Sequence, residues 1–165
     1  MKIRYLLLIC IAGAIVTLDQ LTKLQIHTSF HEGESVVLIP GYFSLTYVRN
    51  FGAAFGIFQM APELFREIFF LSVPPIALVV ILWFLKSVDD SDKFHIVTFS
   101  LIAGGAIGNY IDRLRFRYVV DFIDVYYQGH HWPAFNIADS SIVVGGSLLL
   151  IVGYWENLKS KKSQN

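Results

Sequence analysis

Four long apolar runs divide the chain, at about residues 5–26, 68–85, 94–111 and 137–155. Each is close to the ~20 residues that a helix needs to cross about 30 Å of hydrocarbon, so each predicts a membrane-spanning helix. Between and after them lie two outer segments, 27–67 and 112–136, a short link, and a tail, 156–165. Segment 27–67 is too long to be a simple connector and should carry structure of its own. Ser35–Ile39, the Pro40-Gly41 pair and Tyr42–Val48 predict strand, turn and strand. Phe43, Leu45 and Tyr47 alternate with Ser44 and Thr46, which gives one apolar and one polar face. Pro62 can open a short amphipathic helix carrying Leu64, Phe65 and Ile68 in the membrane interface. In 112–136, Tyr118, Phe122, Tyr126, Tyr127, Trp132 and Phe135 suit an aromatic belt at the headgroup level. Gly104 and Gly108 in the third run, and Gly145 with Gly146 in the fourth, suit close helix packing. Pro74-Pro75 should kink the second.

Composition agrees with an integral membrane protein. Of the 165 residues 55% are hydrophobic and only 16% charged, too little polar surface for a soluble domain of this size. The mean hydropathy is +0.54. A net charge of zero argues against a nucleic-acid partner. Cys10 stands alone, which excludes an intramolecular disulfide and a cysteine metal site. It is read as a packed or lipid-facing thiol.

Positive charge sets an expected orientation. Lys2 and Arg4 precede the first run, Lys86 and Lys93 lie between the second and third, and Lys159, Lys161 and Lys162 follow the fourth. With four spans all three groups fall on one side, which is then cytoplasmic, together with both termini. Arg113, Arg115 and Arg117 fall on the opposite side against this rule, so they either bind something or reach anionic headgroups. A cleaved leader is a weaker reading of the first run, which is longer than a usual leader core and lacks an A-x-A site.

Asp139 supplies the best chemical clue. It stands about one turn into a run that is otherwise apolar through Trp155, where an ionisable group is costly and reads as functional. Asp121 lies just before the same run. Two carboxylates held close share a proton near neutral pH, and such a pair can activate water while protonating a carbonyl. Around them, Asp19, Gln20, Lys23, Asn50, Asn109, Asp112, Arg113 and Asn136 all fall near the outer ends of the runs and can converge on one polar pocket. Asn109 and Arg113 share a helix face, as do Asn136 and Asp139. Structural pairs compete with this: Asp19 with Lys23 at i,i+4, and Asp112 with Arg113. Asp124 is a rival acid, read as a solvated loop charge.

Other chemistries fit less well. Asp121-x-x-Asp124 with Asp139 could hold Mg²⁺ for phosphoryl transfer, but Val125-Tyr126-Tyr127 follow where a glycine and an Ala-Arg are expected. His27, His31, His130 and His131 lack a zinc motif. Ser140 and Ser141 have no histidine base and no G-x-S-x-G. A proton-coupled carrier using Asp19 and Asp139, or a scaffold held by glycine packing, remain rivals from other classes. A relay, however, should place ionisable groups in the inner halves of the runs, and those halves are nearly uncharged.

Five ordered blocks carry a resemblance. Leu18-Asp19-Gln20-Leu21-Thr22-Lys23, Arg49-Asn50-Phe51-Gly52-Ala53-Ala54-Phe55, Gly105 through Arg113, Val119-Val120-Asp121-Phe122 and Phe135-Asn136-Ile137-Ala138-Asp139-Ser140 resemble the blocks of the bacterial lipoprotein signal peptidases, signal peptidase II. The resemblance implies a membrane all-α fold with four transmembrane helices, a small extracytoplasmic β-sheet and an interfacial helix, in a single peptidase domain over 1–165. It implies that Asp121 and Asp139 are a catalytic dyad. Asn50, Asn109, Arg113 and Asn136 match positions lining the site, and Asp19 and Lys23 match positions near it. The implied substrates are prolipoproteins carrying diacylglyceryl on the cysteine that follows the cut, processed with no metal or nucleotide in the bacterial inner membrane. Membrane lipids are the other expected partners, and a monomer is the expected assembly.

Overall fold

The computed structural model describes residues 2–163, with the side chains of Phe55, Glu156, Asn157 and 159–163 outside the description. The expectation for Lys159, Lys161 and Lys162 therefore lies outside the described residues. Four long helices carry the fold: α1 (Ile3–Ser29), α2 (Glu63–Ser87), α3 (Lys93–Phe116) and α4 (Ile137–Ser163). All four are long and apolar enough to cross a membrane. At one end lies an antiparallel sheet of four strands, in the order β1 (Ser35–Ile39), β2 (Phe43–Asn50), β3 (Val119–Tyr127) and β4 (His130–His131).

Helix α3 is the hub, packed against α1, α4 and α2. Its small residues explain why. A Cβ on Gly104 would come 2.9 Å from Ile15 Cβ of α1, and one on Gly108 would come 2.6 Å from the Asp19 carboxylate. Gly105 faces Ala138 and Ser141 of α4 with no room for a side chain. Gly145 of α4 returns the contact, with Thr98 O 3.0 Å from its would-be Cβ. Gly146 meets nothing within 4 Å, so the expectation of close packing holds at Gly145 and fails at Gly146. Within lipid every polar group needs a partner. Thr17, Thr22 and Thr28 donate to the carbonyls of Gly13, Leu18 and Leu24 one turn back, and Ser100 donates to Ile96 O.

At the end away from the sheet, Arg4 donates to Val88 O in the α2–α3 link and lies 3.4 Å from Asp90. The start of α1 and the α2–α3 link, with Lys86 and Lys93, therefore sit together. Helix α2 runs unbroken through Pro74 and Pro75. It also absorbs the short helix expected after Pro62. Pro62 is its N-cap residue, and Leu64, Phe65 and Ile68 form its exposed first turns. No residue between Glu63 and Ile68 interrupts a helix, so the interfacial piece is the outer end of the span.

The β1–β2 hairpin forms where expected, turning at Gly41 with φ +84°. Both faces of β2 are covered: Tyr47 is buried in the core with Leu45 packed against it, and Ser44 and Thr46 on the polar face are buried as well. The buried hydroxyls are satisfied: Ser44 Oγ and Thr46 Oγ1 donate to Tyr126 Oη and Glu34 O. Strand β3 is an addition to the predicted elements. Arg117, in the left-handed region at φ 65°, ends α3, and Val119-Val120 open the strand at once. Gln128 and Gly129, at φ 50° and 78°, make the two-residue turn into β4. Tyr118 and Phe122 are accordingly core rather than belt. With Ile26, Tyr47 and Val120 they cement the end of α1 to the sheet, while Tyr127 and Trp132 stay exposed.

Candidate active site

Asp121 lies on β3, 2% exposed, paired in register with Val48. Asp139 lies in the first turn of α4. Asn136 joins them. As the residue before α4, its Oδ1 accepts from Asp139 N at 2.8 Å, and its own N–H reaches back to Asp139 Oδ2 at 3.3 Å. This is a reciprocal N-terminal cap with Asp in the place usually held by Glu or Gln. The Asn136 amide then donates from Nδ2 to Asp121 Oδ1 at 2.7 Å. One residue thus starts the helix, orients Asp139 and holds Asp121. Position in the first turn also suits a negative charge.

Two more asparagines complete the frame. Asn50, the last residue of β2, donates from Nδ2 to Asp121 Oδ2 at 2.9 Å, and its Oδ1 accepts from Gly52 N. Asn109 of α3 donates from Nδ2 to Asp139 Oδ1 at 2.7 Å. All three amide groups are therefore aimed at the two carboxylates.

Burial pushes the Asp121 carboxyl up to about 7, the negative charge of Asp139 adds to this, and the Asn50 and Asn136 hydrogen bonds oppose it. Burial and a neighbouring carboxylate both favour the protonated form of a carboxyl.

Beneath this pair sits a buried ionic cluster. Lys23 Nζ makes three contacts: Asp19 Oδ2 at 2.8 Å, Asp112 Oδ2 at 3.0 Å and Asn109 Oδ1 at 2.8 Å. All three of its protons are used. Because the ammonium faces Oδ1 of Asn109, the NH₂ of that amide must face Asp139. Asp19 Oδ1 accepts from Ala138 N, one of the free N–H groups at the start of α4. Asp112 accepts from Val120 N at 3.0 Å and from Gln20 Nε2 at 2.9 Å. The cluster thus pins both elements that carry the pair, β3 and α4, to α1 and α3. Asp19 with Lys23 is a buried ion pair, as one reading expected. Asp112 with Arg113 is not: Asp112 turns to Lys23, and Arg113 turns away.

Arg113 is buried, stacks over the Phe70 ring at 3.7 Å, and donates from Nη2 to Gly52 O at 2.5 Å. It ties the 51–56 turn to α2 and α3. Asp124 corrects its expectation as a solvated loop charge. It sits within β3, 3.0 Å or less from His131 Nδ1. Three residues apart on a strand, Asp121 and Asp124 project to opposite faces, so they cannot share one ion. Among the described residues no group of three or more His, Cys, Asp or Glu side chains has a metal-binding arrangement. The Ser140 and Ser141 hydroxyls donate to Asn136 O and Ala138 O.

Comparison with known proteins places the chain in a family. Residues 11–155 match the family model for signal peptidase (SPase) II. The lipoprotein signal peptidase of Syntrophus aciditrophicus (strain SB) is 45% identical over 161 residues, 98% of this chain and 99% of that protein. That of Syntrophotalea carbinolica is 42% identical over 94% of this chain and 96% of its own length. A bacterial membrane enzyme solved by the in meso method at 2.3 Å resolution superimposes with a TM-score of 0.80 at 36% identity, covering 96% of this chain and 91% of its own.

Proposed function

This chain belongs to the signal peptidase II family of membrane aspartic peptidases, and from that premise we propose that it frees prolipoproteins of their signal peptides by means of Asp121 and Asp139. It removes signal peptides from prolipoproteins, and on our reading it cuts before a cysteine already carrying diacylglyceryl. The observation that carries the assignment is the Asn136 bridge, which holds one carboxyl on a strand and one at a helix start together at the sheet end of the spans.

The chemistry follows from charge. The pair carries one proton, and we take Asp121, pushed up to about 7 by burial, as its donor and Asp139 as the base. Water attacks the scissile carbonyl carbon. Its proton passes to Asp139, while Asp121 gives its proton to the carbonyl oxygen, so a neutral gem-diol forms and no acyl-enzyme arises. Collapse returns a proton to Asp121 from the diol hydroxyl and delivers one from Asp139 to the leaving amine. Both products leave with the dyad in its starting state. The asparagines position the carboxyls, and the second N–H of Asn50 and of Asn109, not used on a carboxylate, can help hold the developing oxyanion. Arg113, one turn beyond Asn109, is the group left to meet the substrate backbone. The reaction so read needs no metal or nucleotide.

The orientation we propose puts the sheet outside and both termini in the cytoplasm of a bacterium, in its inner membrane. Arg4, Lys86 and Lys93 at the end opposite the sheet support it. Scission at the outer edge of the bilayer is where a lipid-anchored cysteine leaves its peptide bond.

The test is a gel-shift assay with purified protein in detergent and a diacylglyceryl-modified prolipoprotein, beside Asp121→Asn, Asp139→Asn and an EDTA arm. Cleavage by the parent that resists chelator and vanishes in both variants is the expected result. Cleavage sensitive to EDTA, or retained in either variant, would overturn the dyad.

A further inference from the structure

The arginines that break the charge rule along the chain are not exhausted by the dyad. Between the first turns of α2, the end of α3 and Phe51 lies a cleft of about 60 Å³, lined by Arg66, Arg113, Arg117, Glu63 and Glu67. That is room for a small group, since a water occupies about 30 Å³ of liquid. Three cations face two anions here. Arg117 Nε is 3.5 Å from Glu67 Oε1, so this pair cancels and leaves Arg66 and Arg113 against Glu63.

Both remaining guanidinium groups keep unused donors. Among the described residues Arg113 donates one hydrogen bond, to Gly52 O. Arg66 donates to Gln59 O at 3.3 Å, and its Nε is buried without a hydrogen-bond partner. Arg66 also lies 5.5 Å from the Phe51 ring centre, which fixes its plane at the cleft wall. A buried unpaired guanidinium N–H is costly unless a ligand completes it.

A second observation says what that ligand is attached to. Leu64, Phe65, Ile68 and Leu114, on the same turns of α2 and α3, are exposed at 68%, 44%, 62% and 52%. On membrane-spanning helices such a surface meets acyl chains. A fork of guanidinium donors beside an acyl-facing surface matches a charged head on two hydrocarbon tails.

We propose that this cleft binds the phosphodiester of a membrane phospholipid in the leaflet on the sheet side. Arg66 and Arg113 hold the phosphate oxygens, Arg117 at the rim neutralises Glu67 so that this carboxylate does not repel the phosphate, and Glu63 at the open edge faces the headgroup substituent. Arg113 lies one turn from Asn109, so a bound phosphate sets the headgroup plane level with the two carboxyls and fixes the depth of the site. Arg113 is shared with the substrate path proposed above, so the test rests on Arg66 and Arg117 and reads lipid retention rather than cleavage.

Native mass spectrometry of the full chain in detergent tests it with phosphatidylglycerol, phosphatidylcholine and diacylglycerol as probes. The parent protein and Arg115→Gln, whose side chain lies outside the cleft, should retain one phospholipid of either kind and shed diacylglycerol. Arg66→Gln with Arg117→Gln should retain phospholipid about tenfold less well or worse, the loss expected when a charge-assisted hydrogen bond goes. Melting temperature and gel filtration check that this variant folds; if it does not, Arg66→Lys and Arg117→Gln, each alone, should weaken retention in a graded way. Equal retention by parent and folded variants, or equal retention of diacylglycerol, overturns the proposal. So does displacement of the lipid by millimolar inorganic phosphate that alone protects the fold equally, which would make the site one for free phosphate.

Discussion

Replacing Asp121 by Asn should abolish cleavage and yet stabilise the protein at alkaline pH. The carboxyl titrates near 7 in the fold and at 3.8 when unperturbed, chiefly because it is buried. Its folded value is above its unfolded one, so its contribution to stability is fully present below about 4 and is lost as pH rises through about 7. At ~1.4 kcal/mol per pH unit between those values, ionising it in place costs the parent ~4 kcal/mol by pH 8 and ~1.6 kcal/mol at pH 5. An amide pays neither. It does bring a donor where only acceptors stood: Asn50 and Asn136 both aim NH₂ groups at this side chain, so one of the two bonds is lost, at ~1–3 kcal/mol. Asp121→Asn should therefore be near neutral or less stable than the parent at pH 5 and more stable at pH 8. The gap should move by ~3 kcal/mol, or roughly 5–10 °C in melting temperature for a chain of this size. Thermal unfolding in one detergent, followed at both pH values, reads this directly. A melting difference that is the same at pH 5 and pH 8 would refute the buried, proton-carrying state of Asp121. The same titration predicts that cleavage by the parent falls on the alkaline side with a midpoint near 7.

Lys23→Met leaves Asp19 and Asp112 buried without their cation, which should cost ~3–5 kcal/mol; adding Asp112→Asn should return part of that in a double-mutant cycle of melting temperatures. Gly108→Ala drives a methyl to 2.6 Å from Asp19 Oδ2 and should lower both melting temperature and cleavage, whereas Gly146→Ala meets nothing and should gain ~0.5–1 kcal/mol from helix propensity. Arg113→Lys keeps the charge but loses the planar stack on Phe70 and the fork, so kcat/KM should fall; unchanged cleavage would remove Arg113 from the substrate path.

What can be read in the sequence is what depends on long periodic runs and on ionisable groups in apolar surroundings. Four spans, the first hairpin and both aspartates follow from length, turn residues and the cost of burying charge. Strand β3 escapes because its residues, Val119 to Tyr127, are also those of an interfacial aromatic belt, and composition cannot separate the two. Asp121 and Asp124, three apart, break any period-2 alternation, so the signal left is the β-branched and aromatic content of Val119 to Tyr127 bounded by the Gln128-Gly129 turn. The alternation of β2 marks two sides of a strand but not how far each is covered, and here both are: Tyr47 in the core and Ser44 with Thr46 on the other side.

The asparagines illustrate the same limit at the site itself. Asn136-x-x-Asp139 before an apolar run is a helix-start signature, although spacing alone makes it only two residues on one face. Recognised as a cap, it ties the local fold to the chemistry. The backbone N–H of Asp139 needs the Asn136 side chain in order to begin α4, and that same amide then has its NH₂ left for Asp121. Orientation of the pair is thus inherited from an ordinary requirement of helix termination. The Lys23 contact to Asn109 Oδ1 works in the same way, because an amide that accepts on one side must donate on the other, here to Asp139. Two carboxyls that would repel are held by groups whose directions are already set by folding, so little reorganisation is left for the moment of reaction.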